Sequence, residues 1–192
     1  MYSNEHSDEE LVRLSLKDKH AFAGLVERYE RQLSVYIRRL GVGNAADCED
    51  VLQDTFLKVY VNLNSFKTDL LFSSWVYRIA HNEAMSFFRK RKVRPHGNLV
   101  EDSEEVFRTL ASELNLTDEL MRKEDSKILQ EVLRTLIPEY QEILILKFYE
   151  HKNYDEISDI LSLPLGTVGT RLHRAKKYLK QALERNHYEY GI

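Results

Sequence analysis

Only one cysteine, Cys48, occurs among the 192 residues, so no disulfide can close within the chain. Proline appears three times and glycine seven times. So few turn formers argue against a fold of many short strands and favour long helices with short connections. No apolar run exceeds a few residues, far short of the roughly 20 that cross a bilayer. The opening "MYSNEHSDEE" is polar and acidic, the reverse of a basic and then apolar secretory leader. The seven histidines (His6, His20, His81, His96, His151, His173, His187) form no metal-ligand pair at helical spacing. Neither an H-E-x-x-H pattern nor a phosphate-cradling glycine loop occurs. These absences predict a cytoplasmic, mostly helical protein that is not an enzyme and uses no metal and no cofactor.

What is present is an ordinary globular composition, 43% hydrophobic and 31% charged, long enough for one large or two small domains. The net charge of −3 hides a sharp division. Residues 89–94, "RKRKVR", are basic at five of six positions. Residues 98–125 hold nine acids against three bases, Arg108, Arg122 and Lys123. "PLGTVGTRLHRAKK", residues 164–177, carries Arg171, Arg174, Lys176 and Lys177 and no acid. Two cationic clusters flanking an acidic stretch suggest two anion-binding modules on a linker.

Hydrophobic periodicity gives the fold class. Phe22, Leu25, Val26, Tyr29, Leu33, Tyr36, Ile37 and Leu40 recur at helical spacing and predict one amphipathic helix. Gly41 and Gly43 interrupt it, and a second helix follows with Leu52, Phe56, Val59 and Leu63 inward. Asp47, Glu49 and Asp50 stand near its start, where the helix dipole favours negative charge. "NSFKTDLLFSS" reads as a loop ending in an N-cap serine, and "WVYRIAHNEAMSFFRKRK" as a third helix. Pro95 and Gly97 close this unit. Residues 98–125 read as a linker with a short helix around Val106–Leu114. A second unit opens near Ser126, with Ile128, Leu129, Val132, Leu133 and Leu136 in a stripe and Pro138 starting the next helix, "EYQEILILKFYE", whose apolar density implies burial on most sides. The expected fold is all-α in two small domains: residues 1–96, an acidic linker 97–125, and 126–192.

"YDEISDILSLPLGTVGTRLHRAKKYL" predicts helix, tight turn, helix. On the second of these helices Val168, Leu172, Ala175 and Leu179 form an inward stripe. The opposite face carries Gly166, Gly169, Thr170, His173, Arg174 and Lys177. It is small near the helix start and cationic beyond, as a major-groove recognition helix requires. A helix-interior glycine costs about 1 kcal/mol relative to alanine, a useful exchange where something must approach closely. The C-terminal unit is therefore expected to bind DNA.

The N-terminal unit shows two further patterns. Asp50, Gln53, Asp54 and Leu57 share one outward face of the second helix, and an exposed leucine among carboxylates points to a protein partner. Trp75, Arg78 and Asn82 precede Arg89, Lys90 and Arg91 on the third helix. Aromatic planes interleaved with cations suit stacking on unpaired bases, although most of these aromatics, Trp75 included, are expected in the core.

Together, "DCEDVLQDTFLKVY", "FSSWVYRIAHN" and "LPLGTVGTRLHRAKKYL" resemble bacterial sigma factors of the sigma-70 family, in the short two-domain form of the extracytoplasmic-function (ECF) group. The resemblance covers residues 10–95 and 125–184. It implies a sigma region 2 domain and a sigma region 4 helix-turn-helix domain. It also implies a subunit that binds core RNA polymerase, directs it to stress-type promoters and answers to an anti-sigma factor. By the same resemblance, Asp47, Asp50, Gln53, Asp54 and Leu57 would meet the polymerase clamp's coiled coil, with Phe56 in the core. Trp75, Arg78, Asn82, Arg89, Lys90 and Arg91 would serve the −10 element, double-stranded and then melted. Gly166, Thr167, Gly169, Thr170, Arg171, His173, Arg174 and Lys177 would meet the −35 element.

Three positions depart from the family pattern: Gly169 stands where a cation is common, Ser86 where an aspartate is common, and Cys48 where a small residue is common. A two-domain helix-turn-helix regulator that binds DNA without polymerase is the alternative reading. Such a protein would hold a promoter fragment tightly by itself.

Overall fold

A computed structural model describes residues 6–66, 71–91, 132–133 and 135–190, with side-chain surroundings up to residue 185. Among these residues there is no strand. The described chain forms seven helices: α1 (Asp8–Ser15), α2 (Phe22–Arg39), α3 (Ala45–Val61), α4 (Phe72–Arg91), α5 (Pro138–Leu144), α6 (Tyr154–Leu161) and α7 (Leu165–Tyr190). The chain divides into two compact units, one mainly from residues up to Pro95 and one mainly from His96 onward. The acidic stretch 98–125, its expected short helix, Ile128 and Leu129 lie outside the described residues.

In the N-terminal unit, α1 starts with a capping box. The Ser7 hydroxyl accepts from the Glu10 amide at 3.2 Å, and Glu10 accepts from the Ser7 amide at 2.9 Å. The Ser7 amide holds the Glu10 carboxyl below the usual carboxylate range. Arg28 and Tyr29 of α2 both donate to the Asp8 carboxylate, which joins α1 to α2. Burial and that hydrogen bond push the Tyr29 phenol above its ordinary pKa. Helix α2 ends because Gly41 takes φ 116°, a left-handed conformation that lets the Val42 amide reach the Ile37 carbonyl at 3.3 Å. Asn44 then caps α3 through the Ala46 amide.

The core of this unit holds Leu25, Leu33, Tyr36 and Ile37 from α2, Val51, Leu52 and Val59 from α3, and Val76, Ala80 and Ala84 from α4. Two expectations change. Helix α4 begins at Phe72, three residues before Trp75, so Ser74, the serine expected to cap it, lies in its first turn. Phe72 is 1% exposed and packs edge-on against Phe66 and Tyr29, and that burial draws the helix start forward. Phe56 is half-buried at a groove wall, because α2 turns Phe22 toward it edge-on at 6.5 Å instead of covering it.

In the C-terminal unit, Pro138 begins α5 at a position where its missing N–H costs nothing. The expected single helix through "EYQEILILKFYE" continues as a π-helical turn, Ile145–Tyr149, closed by the Glu150 amide on the Ile145 carbonyl at 3.0 Å. This wider turn buries Ile145, Leu146, Phe148 and Tyr149 and lets Lys147 emerge between them. Asn153 caps α6 reciprocally with Glu156, both bonds at 2.9 Å. Ser162, at φ 53°, ends α6, and the Leu163 amide returns to the Ser158 carbonyl at 3.0 Å. Val168, Leu172, Ala175 and Leu179 are each at most 1% exposed, so α7 buries the stripe its spacing predicts.

Candidate nucleic-acid interface

The buried stripe of α7 fixes which side faces outward. Gly166, Thr167, Thr170, His173, Arg174 and Lys177 are exposed, and Gly169 is half-buried at the edge of that face. Neither glycine is required by packing within the protein. A Cβ on Gly166 would meet nothing within 4 Å, and one on Gly169 would meet only Tyr154 Cε2 at 3.9 Å, an ordinary contact. The smallness of the face is therefore available to an external surface. Thr170 donates to the Gly166 carbonyl one turn back at 2.8 Å. Arg171 is directed elsewhere: it pairs with Glu142 of α5 at 3.1 Å, both side chains largely buried.

On the Arg171 flank of α7 lies a groove of ≈ 480 Å³, lined by Tyr140, Pro164, Gly166, Thr167, Thr170, Arg171 and Arg174. Tyr140 packs on Tyr178 at its edge, with ring centroids 5.5 Å apart and the planes tilted by 34°. Sequence periodicity missed Tyr140 because it sits one residue after Glu139 in a run read as buried. Its neighbour Tyr178 falls four residues after Arg174, which was the available signal.

In the N-terminal unit the expected partner face is outward. Asp50, Gln53 and Asp54 are exposed, and Leu57 is 60% exposed. Gln53 donates to Glu49 one turn back at 2.9 Å. This face borders an apolar groove of ≈ 410 Å³ between α2 and α3, lined by Phe22, Val26, Glu30, Glu49, Leu52, Gln53, Phe56, Leu57 and Tyr60. Phe22 and Val26 lie on the apolar stripe of α2, yet both are only half-buried and wall this groove. Asp47 is set apart from the others. Its carboxylate is 15% exposed and pairs with Arg91 at the end of α4.

On α4, Trp75 is half-buried against Phe66 and Phe72, with centroids at 5.3 and 5.7 Å. Asn82 is exposed two turns further along, and Arg78 lies on the same face between them by its i+3 spacing. Arg89, Lys90 and Arg91 are exposed in the last turn. Arg89 donates to Ser86 at 2.9 Å, and the Arg91 guanidinium lies 5.0 Å from the Phe87 ring centroid. Below them Lys58 donates to the buried Glu83, tying α3 to α4. Lys92 and Arg94, the rest of the basic cluster, lie outside the described residues. Among the described residues no group of three or more His, Cys, Asp or Glu side chains is arranged to hold a metal ion.

Residues 25–94 match the sigma-70 region 2 family, and residues 126–179 match sigma-70 region 4. The Bacillus subtilis ECF RNA polymerase sigma factor SigW is 31% identical over 170 residues, 86% of this chain and 90% of its own. The Escherichia coli ECF RNA polymerase sigma-E factor is 32% identical over 189 residues, covering 95% and 97% of the two chains. Among solved structures, CnrH in complex with the cytosolic domain of CnrY shares the fold at TM-score 0.66 and 23% identity, covering 93% of this chain and 97% of that one. The sigma factor RpoE in complex with the anti-sigma factor NepR, from Bartonella quintana, shares it at TM-score 0.59 and 21% identity, covering 85% and 96%.

Proposed function

Because the chain belongs to the sigma-70 family of RNA polymerase sigma factors, in its ECF group, we propose how its own surfaces divide the work of promoter-specific initiation. It is a transcription-initiation factor and not an enzyme. The N-terminal unit, residues 1–96, docks on core polymerase and melts the −10 element. The C-terminal unit, residues 126–192, reads the −35 element, and residues 97–125 connect them. The single observation that carries this division is that each unit exposes one chemically distinct face. One is a carboxylate-edged apolar groove on α2 and α3, the other a small and then cationic face on α7.

The polymerase contact is assigned to Asp50, Gln53, Asp54 and Leu57 at the groove edge. A coiled coil carrying apolar side chains flanked by cations complements that edge. Opening of the −10 element is assigned to Trp75, Arg78 and Asn82, with Arg89, Lys90 and Arg91 on the backbone phosphates. The −35 contacts are Gly166, Thr167, Gly169, Thr170, His173, Arg174 and Lys177. Arg171 serves the same site indirectly, by holding α7 to α5 through Glu142. An anti-sigma partner is supported by relatives of this group, of which RpoE is solved with NepR. Among the described residues no helix is long and apolar enough to cross a membrane. A polymerase subunit acts where the chromosome lies, which supports the cytoplasm as its location.

Reconstitution with core RNA polymerase tests the reading. The expected result is run-off transcription from a subset of genomic fragments, with tight promoter binding only when polymerase is present. Tight, sequence-specific binding of a promoter fragment by the isolated chain, unchanged by core polymerase, would instead establish the stand-alone regulator.

A further inference from the structure

Beside the exposed face of α7 stands a cation that neither its charge pattern nor its spacing places there. Lys147 emerges from the π-helical turn at the end of α5, with its ammonium 5.6 Å from the centroid of the Tyr154 ring. That separation is within the range of a cation–π contact. Among the described residues no carboxylate pairs with it. Tyr154 opens α6, is 40% exposed, and has Cε2 3.9 Å from where a Cβ of Gly169 would stand. Gly169 lies between Gly166 and Thr170 on the edge of the outward face. Three features therefore meet at one flank of α7: a mounted ammonium, a half-open aromatic ring, and a helix position with no side chain to cover them.

We propose that Lys147, held by Tyr154, is a DNA-phosphate contact flanking the −35 helix, and that Gly169 is the residue that keeps it open. An ammonium is a compact point charge and suits a phosphate oxygen better than a base edge. The contact therefore contributes affinity and register and carries no sequence preference of its own. A side chain at position 169 would extend over the Tyr154 ring and displace the ammonium from the duplex. An arginine there would replace the missing charge with its own. The inference rests on the assignment of α7 to the −35 element.

The test uses full-length protein in reconstituted holoenzyme, on duplex carrying a promoter recovered by run-off transcription and on the same promoter with its −35 element mutated. Binding is measured across a salt series. Lys147→Gln is expected to make the slope of log affinity against log salt shallower by about one, with the same fold-loss on both promoters. Tyr154→Ala should reproduce that loss and add nothing to it in the double variant, whereas Tyr154→Phe keeps the ring and should behave as wild type. Gly169→Arg should restore the slope in the Lys147→Gln background. Thermal melting of each variant checks that the fold is intact. An unchanged slope for a folded Lys147→Gln, or additive losses from Lys147→Gln and Tyr154→Ala, overturns the proposal and leaves the assignment of α7 standing. If the wild-type holoenzyme shows no preference for the intact −35 element, that assignment fails and the proposal falls with it.

Discussion

Helices α4 and α7 both carry clusters of cations, yet they present them in different ways. In α7 one side folds and the other side is free: Val168, Leu172, Ala175 and Leu179 are buried, while His173, Arg174 and Lys177 project outward. In α4 three of the proposed DNA residues are also structural. Trp75 packs on Phe66 and Phe72, Arg89 bonds Ser86, and Arg91 is engaged by Asp47 and Phe87. A helix that separates its two jobs can vary its reading face without loss of stability. A helix that combines them holds the reading groups in one geometry before DNA arrives, at the expense of mutational freedom.

The largest expected effect follows from that overlap. Trp75→Ala removes a half-buried indole from a three-ring cluster and should cost about 2–3 kcal/mol of stability in the N-terminal unit, below the range for fully buried tryptophan. Chemical denaturation measures it, and Trp75→Phe should recover most of the loss. A Trp75→Ala protein as stable as wild type would break the comparison, since the indole would then serve DNA alone. Next in size is Arg174→Ala, for which the stability change should stay within about 0.5 kcal/mol. Its preference for the intact −35 element should fall by about 1–3 kcal/mol if the guanidinium reads a base. Equal transcription losses on matched and −35-mutated promoters would reassign Arg174 to the backbone.

The legible parts of the molecule are those whose signal is local and periodic. The α7 stripe, the α2 stripe, Pro138 at the start of α5 and the exposed Leu57 could all be read from spacing, because helical period sets both burial and exposure. Helix α1 was not anticipated, since its eight residues carry only two strongly buried apolar side chains, Leu11 and Val12. The π-helical turn was equally hidden, because its register depends on i→i−5 bonding and the packing of Phe148 and Tyr149. Long-range pairings were beyond reach for the same reason. Nothing within a window of α7 says that Arg171 turns to Glu142, and nothing within α3 says that Asp47 meets a cation 44 positions away.

Leu57 and Asp50 are exposed, so Asp50→Lys combined with Gln53→Ala, or Leu57→Ala alone, should move stability by no more than about 0.5 kcal/mol. Core polymerase binding should weaken in each case, because a reversed charge or a lost apolar contact at the groove edge opposes the same docking. Pull-down of core polymerase, with circular dichroism as the check on folding, separates the two effects. Undiminished capture by a folded double variant would remove the partner assignment and leave the groove without one.

The smallest expected effect concerns Asp47, which resemblance groups with the polymerase contacts and geometry joins to Arg91. The Asp47 carboxylate is 15% exposed and the Arg91 side chain 56% exposed. A pair with one largely solvated partner contributes only about 0.2–1 kcal/mol. Asp47→Asn should therefore lower stability by no more than that and leave core polymerase binding unchanged, since its side chain is turned inward toward α4. It also releases the Arg91 guanidinium, so affinity for −10 DNA should rise slightly and depend more steeply on salt, as one more cation becomes free to meet phosphate. Arg91→Gln in the same background should cancel that gain. A loss of polymerase binding in Asp47→Asn, with the melting temperature and −10 affinity unmoved, would return Asp47 to the partner face. The engaged cations of α4 would then differ from the free ones of α7 by less than the geometry indicates.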